Sequence, residues 1–311
     1  MSQLINELVW SHSRARLFGD CGRAYWFTYY GSWNGWEGGA PAATRQAWLE
    51  KKLTRRPMWV GTVVHRIAEE GIGRLRGGRP WSAEEAVVTA VRGARGDIEG
   101  SASGAWTQRP AKRTGFAEHY YRESVNPEEW EAAIAEVERQ VRVLHENRIY
   151  RRLHQVPDRI MEVEELRRFR VGSGEVYVAL DVLVADGRGG VVIVDWKTGE
   201  AHDDATIAAQ LGVYGLYVTQ ELGVPGDRVT AMHVNLRHNV ETVHPVGPVE
   251  IAAARAEIDT SLAAMRARLV DPVANLARAE DFPTLPPGSA RCLRCNFRRS
   301  CGREEGSARP D

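Results

Sequence analysis

The most informative segment of this 311-residue chain is the run Val191-Val192-Ile193-Val194-Asp195-Trp196-Lys197. Four β-branched apolar residues in succession predict a buried β-strand. Alternate residues of a strand share a face, so Asp195 and Lys197 are expected to lie side by side at its end. A carboxylate beside an ammonium group can hold a divalent cation next to a group that positions water. A strand-end salt bridge is the simpler interpretation of the same pair.

A second carboxylate strengthens the first interpretation. Asp181 ends the apolar segment 176–181, and a hairpin between that segment and the next strand would place it beside Asp195. Paired carboxylates suit a hard cation such as Mg²⁺, and an acid within an apolar strand is costly unless it is paired or metal-bound. Glu164 is the candidate for a further ligand, although Glu162 and Glu165 are neighbouring alternatives that a solvated face would also explain.

The composition is that of a globular protein. The chain has 41 Lys plus Arg against 41 Asp plus Glu and is 43% hydrophobic, which excludes a largely disordered chain. It contains no apolar run of 18 residues and no secretory signal, so we expect a cytoplasmic protein without a membrane partner. Only four lysines occur against 37 arginines, which gives weight to the placement of Lys197.

The order of predicted elements is that of an α/β protein. Asn126-Pro127 opens the clearest helix, whose apolar positions follow at intervals of three and four residues. Three short apolar segments after residue 158 predict adjacent strands of one sheet. The predicted helices cover 11–30, 59–71, 82–96, the segment from 126, 204–221 and 248–269, and the predicted strands cover 159–169, 175–185, 190–195, 229–236 and 240–244.

Several of these residues together resemble the PD-(D/E)xK nuclease superfamily, in its RecB-like branch. The resemblance is carried by Asp181, Asp195, Lys197, Gln210-x3-Tyr214, Gly61-x3-His65 and the opening Ser11-His12-Ser13-Arg14-x2-Leu17-Phe18-x2-Cys21. His65 by itself would be interpreted as a packed helix histidine, but within this pattern it is a candidate metal ligand. No nucleotide-binding G-x4-G-K-[ST] motif is present, so no helicase motor is expected in this chain.

The four cysteines extend the resemblance to the iron–sulfur nucleases of this superfamily, the CRISPR-associated type-four family and the AddB-type domain. Cys21 lies near one end of the chain, and Cys292, Cys295 and Cys301 lie near the other. Four thiolates are the complement of one [4Fe–4S] cluster, and the resemblance favours that cofactor. The same ligands would satisfy a Zn²⁺ site, whereas disulfides are not expected in a reducing compartment.

The resemblance implies a restriction-endonuclease-like core, a mixed sheet flanked by helices, closed by a metal clasp between the two ends of the chain. On this basis residues 1–65 form the N-terminal helices, 66–158 a helical insertion, 159–270 the nuclease core and 271–311 the Cys-rich segment. We expect the four parts to form one composite domain. The insertion is further predicted to arch over the site and admit only strands with a free end.

The resemblance also implies the chemistry. His65, Asp181, Asp195 and the backbone carbonyl of Trp196 would hold Mg²⁺ or Mn²⁺, with Glu164 as a further catalytic carboxylate. Lys197 would position water or stabilise the charge of the transition state.

The remaining candidate residues would contact DNA. Gln210 and Tyr214 would contact the DNA backbone or order the site, and simple helix packing is the alternative for both. Arginines around the cysteines, Arg294, Arg298 and Arg299 among them, and the block Lys51, Lys52, Arg55 and Arg56 would contact phosphates without reading sequence.

The sequence therefore predicts a metal-dependent DNA exonuclease acting on single strands. Recombination or repair, phage DNA processing and CRISPR adaptation are the candidate contexts, with a helicase, recombinase or integrase as partner. The first alternative is a catalytically silent DNA-binding or assembly subunit with a structural cluster. The second is a zinc-stabilised interaction protein without nuclease activity.

Overall fold

The computed structural model describes residues 4–200 and 204–303. Its helices are α1 (His12–Asp20), α2 (Gly22–Trp26), α3 (Ala42–Lys51), α4 (Arg56–Arg76), α5 (Ala83–Ala102), α6 (Ala117–Tyr120), α7 (Pro127–Glu146), α8 (Arg148–Gln155), α9 (Asp204–Glu221), α10 (Pro248–Arg266) and α11 (Ala290–Leu293). Its strands are β1 (Val9–Trp10), β2 (Leu53–Thr54), β3 (Gly115–Phe116), β4 (Ile160–Glu162), β5 (Leu166–Val171), β6 (Gly174–Ala179), β7 (Val182–Ala185), β8 (Val191–Lys197), β9 (Val229–Asn235) and β10 (Val240–His244). In the described part of the chain, no helix has the length and apolarity needed to cross a membrane.

The central element is a five-stranded mixed sheet of order β10-β9-β8-β7-β4. Strands β8 and β9 are parallel, and the other neighbours are antiparallel. The apolar run of β8 lies at the centre of the sheet because both of its faces are covered. Helices α4, α5 and α7 cover one face, and α9 and α10 cover the other, which gives a three-layer α/β core.

The strands after residue 158 do not form one sheet, and that prediction is wrong. Strands β5 and β6 pair with β1 in a separate three-stranded sheet, while β4, β7 and β8 belong to the central one. The predicted strand 175–185 is divided at Leu180 and Asp181, where the chain passes from one sheet to the other. Leu180 is buried in the core between the sheets. The apolar pattern of the sequence therefore continues through the bend and gives no sign that the strand ends there.

The helices between residues 66 and 158 form one layer of the core. Val137, Val141 and Leu144 of α7 pack with Val194 and Trp196 of the central sheet. Helix α7 begins with the capping arrangement that Asn126 predicts, in which Glu129 accepts a hydrogen bond from the Asn126 N–H. The apolar faces of these helices cover the sheet. That the segment also arches over the site stays a prediction. The boundary predicted at residue 65 falls inside α4.

The two ends of the described chain pack together. The predicted helix 11–30 is interrupted at Cys21, which separates α1 from α2. Arg23 then binds the Cys-rich segment, as its side chain donates to the Phe282 carbonyl at 3.0 Å. The rings of Phe27 and Phe297 stack with centroids 5.3 Å apart. These contacts bring all four cysteines to one place.

Candidate active site

Asp181 directly precedes β7, and Asp195 lies near the end of β8. Val182 pairs with Val194, so the next positions along the hairpin are Asp181 and Asp195. Both side chains are buried, with 7% and 1% of their surface exposed. One oxygen of Asp181 accepts a hydrogen bond from the Trp196 N–H at 2.6 Å. The sequence-based expectation that the two carboxylates are neighbours agrees with this arrangement.

Lys197 is held in place from two sides. Its Nζ lies 2.9 Å from Oδ1 and 2.8 Å from Oδ2 of Asp195. It also donates to Oε1 of Gln210 at 3.0 Å, and the Gln210 amide donates to the Tyr214 hydroxyl at 2.7 Å. The side chain remains partly exposed, at 20%. A lysine fixed in this way needs little reorganisation to act on a bound substrate.

Gln210 and Tyr214 belong to this chain of hydrogen bonds. Tyr214 is buried, and burial, followed by the nearby charges of Asp195 and Asp181, raises its pKa well above the usual value. It is therefore a neutral hydrogen-bond partner of Gln210. Of the two roles predicted for these residues, the contacts favour ordering of the site over direct contact with DNA.

His65 reaches the carboxylates because α4 lies close to the end of β8. A Cβ atom on Gly61 would be 2.6 Å from Oγ1 of Thr198, so a larger residue would push the helix away. Gly61 thus has a steric role in the G-x3-H spacing. Nδ1 of His65 lies 3.2 Å from Oε1 of Glu164 and 3.7 Å from Oδ2 of Asp181.

Glu164 is the glutamate that faces the site. Its backbone has φ of +50°, which is unusual for a side-chain-bearing residue, and its N–H donates to the Leu180 carbonyl. Glu162 is buried and accepts hydrogen bonds from Arg167 and from the Tyr217 hydroxyl, while Glu165 pairs with Arg167. The sequence left these three residues as alternatives. The left-handed backbone at residue 164 is the feature that distinguishes Glu164, which faces the site, from Glu162 and Glu165.

The electrostatics of the group are strongly coupled. Burial lowers the pKa of His65, but the Asp181 charge and the hydrogen bond to Glu164 outweigh it and raise that pKa to about 9. Burial raises the pKa of Asp181, and the negative charges of Asp195 and Glu164 raise it further. The positive charges of His65 and Lys197 oppose this rise. Perturbed groups of this kind in a cleft are typical of functional sites.

The donor atoms fit a divalent cation. One donor atom each of His65, Glu164 and Asp181 lie within 4.8 Å of one another. Carboxylate oxygens and an imidazole nitrogen suit Mg²⁺ or Mn²⁺. The N–H and C=O of one strand residue point to the same side, so the Trp196 carbonyl faces the side on which Asp181 accepts its hydrogen bond.

The cysteines line a separate cavity. Cys21, Cys292, Cys295 and Cys301 surround it together with Phe27 and Phe297 of the stacked pair. None of these four cysteines forms a disulfide. Burial raises the pKa of Cys295 to about 11, and the charges of the other three sulfur atoms contribute to the rise. Four sulfurs in one pocket fit a thiolate-bound metal centre, which would stabilise the deprotonated form.

The predicted DNA-contacting arginines have different surroundings. Arg298 pairs with Glu123 at 2.5 Å and lies 3.7 Å from the centre of the Tyr121 ring. Arg299 lies over the Tyr120 ring. The Arg294 side chain has no hydrogen-bond or ion-pair partner among residues 4–200 and 204–303, and it lines a surface pocket of about 500 Å³. These contacts join the Cys-rich segment to α6 and leave Arg294 available.

Two cavities flank the site. One, of about 630 Å³, opens beside His65 and Glu164. The other, of about 510 Å³, is lined by Lys197 and by residues of α1, and we refer to it as the Lys197 cavity. The predicted site did not include Arg14 and Arg16, which line the Lys197 cavity. Their only signal in the sequence was the opening segment that resembles the start of these nucleases.

Buried carboxylates, an imidazole and a lysine at the end of a central strand are the parts of a divalent-metal hydrolytic site. The family model of the PD-(D/E)XK nuclease superfamily matches residues 9–302, and the chain belongs to this superfamily. Its members use divalent metals such as Mg²⁺, so membership indicates a metal-dependent nuclease with DNA as substrate.

Two further comparisons add little. Among solved structures, the crystal structure of SSO0001 is similar at a TM-score of 0.31 and 13% identity, covering 79% of this chain and 97% of that chain. Comparison with curated proteins gives no match.

Proposed function

We propose that this protein is an exonuclease that hydrolyses single-stranded DNA with Mg²⁺ or Mn²⁺ bound by His65, Glu164, Asp181 and Asp195. The observation that carries the proposal is the convergence of three donor side chains within 4.8 Å of one another, beside the aspartate that holds Lys197. The Trp196 carbonyl is a further ligand in this proposal.

The bound metal would supply Lewis-acid polarisation of the phosphate and a lowered pKa for water. The residues of the chain supply the rest. Lys197 is oriented by Asp195 and Gln210, and its ammonium group is placed to donate to an oxygen that gains charge in the transition state. Tyr214 keeps the Gln210 amide in the orientation that leaves Oε1 for Lys197.

We assign a [4Fe–4S] cluster to Cys21, Cys292, Cys295 and Cys301, as in the iron–sulfur members of the RecB-like branch. The four cysteines line one cavity, which supports a metal centre held by four thiolates. A Cys₄ zinc site is the alternative, and the absorption spectrum of the anaerobically purified protein near roughly 400 nm distinguishes the two. Such a cluster would connect α1 and α2 to the C-terminal segment.

The substrate class rests on the distribution of charge around the site. Arg294 and the arginines beside it lie on the Cys-rich segment, and partly exposed tyrosines line the Lys197 cavity. Phosphate contacts fix the path of a strand, and aromatic rings stack on unpaired bases. DNA recombination or repair, phage DNA processing and CRISPR adaptation are the contexts we propose, with a helicase, recombinase or integrase as partner.

The test uses anaerobically purified protein and end-labelled linear single-stranded DNA. The parent protein should degrade it with Mg²⁺ or Mn²⁺ and not with EDTA, whereas Lys197→Ala should be slower by about 10²–10³-fold. Lys112→Ala is the matched control and should retain the parent rate. Equal degradation by Lys197→Ala would reject the proposed site.

The same preparation tests the mode of cleavage and the alternative function. A circular single strand cut as fast as the linear one would overturn the exonuclease assignment. DNA binding without hydrolysis by either protein would favour the catalytically silent subunit.

A further inference from the structure

The Lys197 cavity is a second opening to the active-site lysine. His65 and Glu164 line the cavity on the metal side, whereas Lys197 and Gln210 line this one. Its volume of about 510 Å³ lies in the range of about 300–1,000 Å³ that is usual for small-molecule sites. A group bound here would therefore be next to the phosphate on which Lys197 acts.

The walls of this cavity carry positive charge without acidic partners. Arg14 uses its guanidinium to donate to the Val9 carbonyl and to lie over the Tyr29 ring at 4.3 Å, and it has no carboxylate partner among the described residues. Arg16 is exposed and has no hydrogen-bond or ion-pair partner in the described part of the chain. Nζ of Lys51 lies 5.6 Å from the centre of the same Tyr29 ring.

Elsewhere on the described surface some arginines pair with carboxylates, as Arg55 does with Glu123 and Arg95 with Glu131, and others such as Arg294 do not. What distinguishes the Lys197 cavity is that Arg14 and Arg16 line it together with Lys197. Burial is the main cause that lowers the pKa of Lys51 to about 8, and the positive charges of Lys52 and Arg14 contribute to the lowering. A bound anion would offset the repulsion between these cations.

The acidic groups near the cavity do not supply this compensation. Asp195 is engaged by Lys197, and Glu257, which lies 4.0 Å from Nδ1 of His12, is not part of the cavity wall. Burial, followed by the charges of Arg16 and Lys197, lowers the pKa of His12, so the imidazole is neutral near pH 7. The cavity thus offers two guanidinium groups, a neutral imidazole and the hydroxyl groups of Ser11 and Ser13.

We propose that the Lys197 cavity is a nucleotide subsite, in which Arg14 and Arg16 bind the phosphate next to the scissile one. This inference rests on the proposed function. Tyr177 lines the same cavity, half-buried, and supplies an aromatic surface for the sugar or base of that nucleotide. The substrate strand then extends from this subsite past Lys197 to the opening beside His65.

The experiment measures binding of a fluorescent single-stranded oligonucleotide by anisotropy, with EDTA present so that no cleavage occurs. Arg16→Gln should weaken binding about tenfold, because a charged hydrogen bond is lost. The slope of log Kd against log salt should fall by about 0.7, the value for one phosphate contact on a single strand. Arg76→Gln changes an exposed arginine at the far end of α4 and should leave both quantities unchanged.

Tyr177→Leu separates the stacking contribution from the charge. It should weaken binding with no change in the salt slope, because the lost contact is uncharged. An unchanged affinity and slope for Arg16→Gln, or equal losses for Arg16→Gln and Arg76→Gln, would overturn the subsite alone. If the parent protein binds no single-stranded DNA, both the subsite and the proposed function are rejected.

Discussion

The carboxylate site and the cysteine site differ in how far the polypeptide itself prepares them. At the carboxylate site every charge has an opposite neighbour, with Lys197 on Asp195 and His65 between Glu164 and Asp181. At the cysteine site the sulfurs share one apolar cavity and raise the pKa of Cys295. Arg23 and Arg303 oppose the effect of burial on Cys301, but burial outweighs them and the pKa of that thiol stays raised.

This difference predicts two different uses of metal. The carboxylate site holds its shape through ion pairs and hydrogen bonds, so a divalent cation there serves chemistry more than folding. A metal bound to the thiols would stabilise their deprotonated form, so we expect the proposed metal centre to contribute to the stability of the fold. Four predictions follow the comparison from the largest expected effect to the smallest.

Asp195→Asn should reduce the rate of DNA hydrolysis by about 10³-fold or more. The substitution removes a proposed metal ligand and the partner of Lys197, and metal stabilisation of transition-state charge is worth several kcal/mol. Single-turnover degradation of a labelled strand measures the change. Asp186→Asn, in the exposed turn before β8, is the matched control, and a comparable loss there would remove the special role of Asp195.

Cys295→Ser should lower the free energy of unfolding by about 3 kcal/mol, or roughly 5 °C in Tm. The reason is loss of the proposed metal centre, which would join α1 and α2 to the C-terminal segment. Thermal unfolding measured under anaerobic conditions tests the prediction. Omitting Mg²⁺ from the parent protein should shift Tm far less, and an equal shift from the two treatments would contradict the comparison.

The affinity for Mn²⁺ should rise about tenfold per pH unit between pH 6.5 and 8.5. The pKa of His65 is raised from 6.5 to about 9, so the metal-free folded protein carries a proton there throughout this range. A metal ion can use the His65 nitrogen only after displacing that proton, and the competition weakens as pH rises. Titrations at three pH values measure the slope, and an affinity independent of pH would show that His65 is not a ligand.

Gln210→Ala should reduce the hydrolysis rate by about tenfold, within the range for residues that orient a catalytic group. Gln210 holds Lys197 through its carbonyl oxygen and touches Tyr214 through its amide. Gln220→Ala, near the end of the same helix, provides the comparison. If the loss at Gln210 appears in KM with kcat unchanged, the residue contacts substrate rather than positioning Lys197.

Local patterns in the sequence predicted much of the fold. Cap chemistry at Asn126 and the apolar run of β8 each correspond to an element of the structure. The division of strands between two sheets was not predictable, because Leu180 is as apolar as its neighbours and the bend at Asp181 depends on packing between layers. The use of residues 66–158 as a core layer likewise depends on which face the apolar stripe of α7 meets.

The site was predictable where residues are close in sequence or carry a rare type. Asp195 and Lys197 share a strand face by alternation alone, and lysine is scarce in this chain. The choice of Glu164 among three glutamates required the left-handed backbone at that residue. The charge around the Lys197 cavity required tertiary structure, because only the fold brings Arg14 and Arg16 of α1 to the same cavity as Lys197.

The central claim is that the buried carboxylates hold the metal that phosphodiester hydrolysis needs. Its most direct test is a Mn²⁺ titration followed by electron paramagnetic resonance, with the parent protein, Asp181→Asn and Asp186→Asn compared at one pH. We expect equal affinity for the parent and Asp186→Asn, and a loss of at least about tenfold for Asp181→Asn. Binding by Asp181→Asn with the parent's affinity and stoichiometry would show that Asp181 is not a metal ligand.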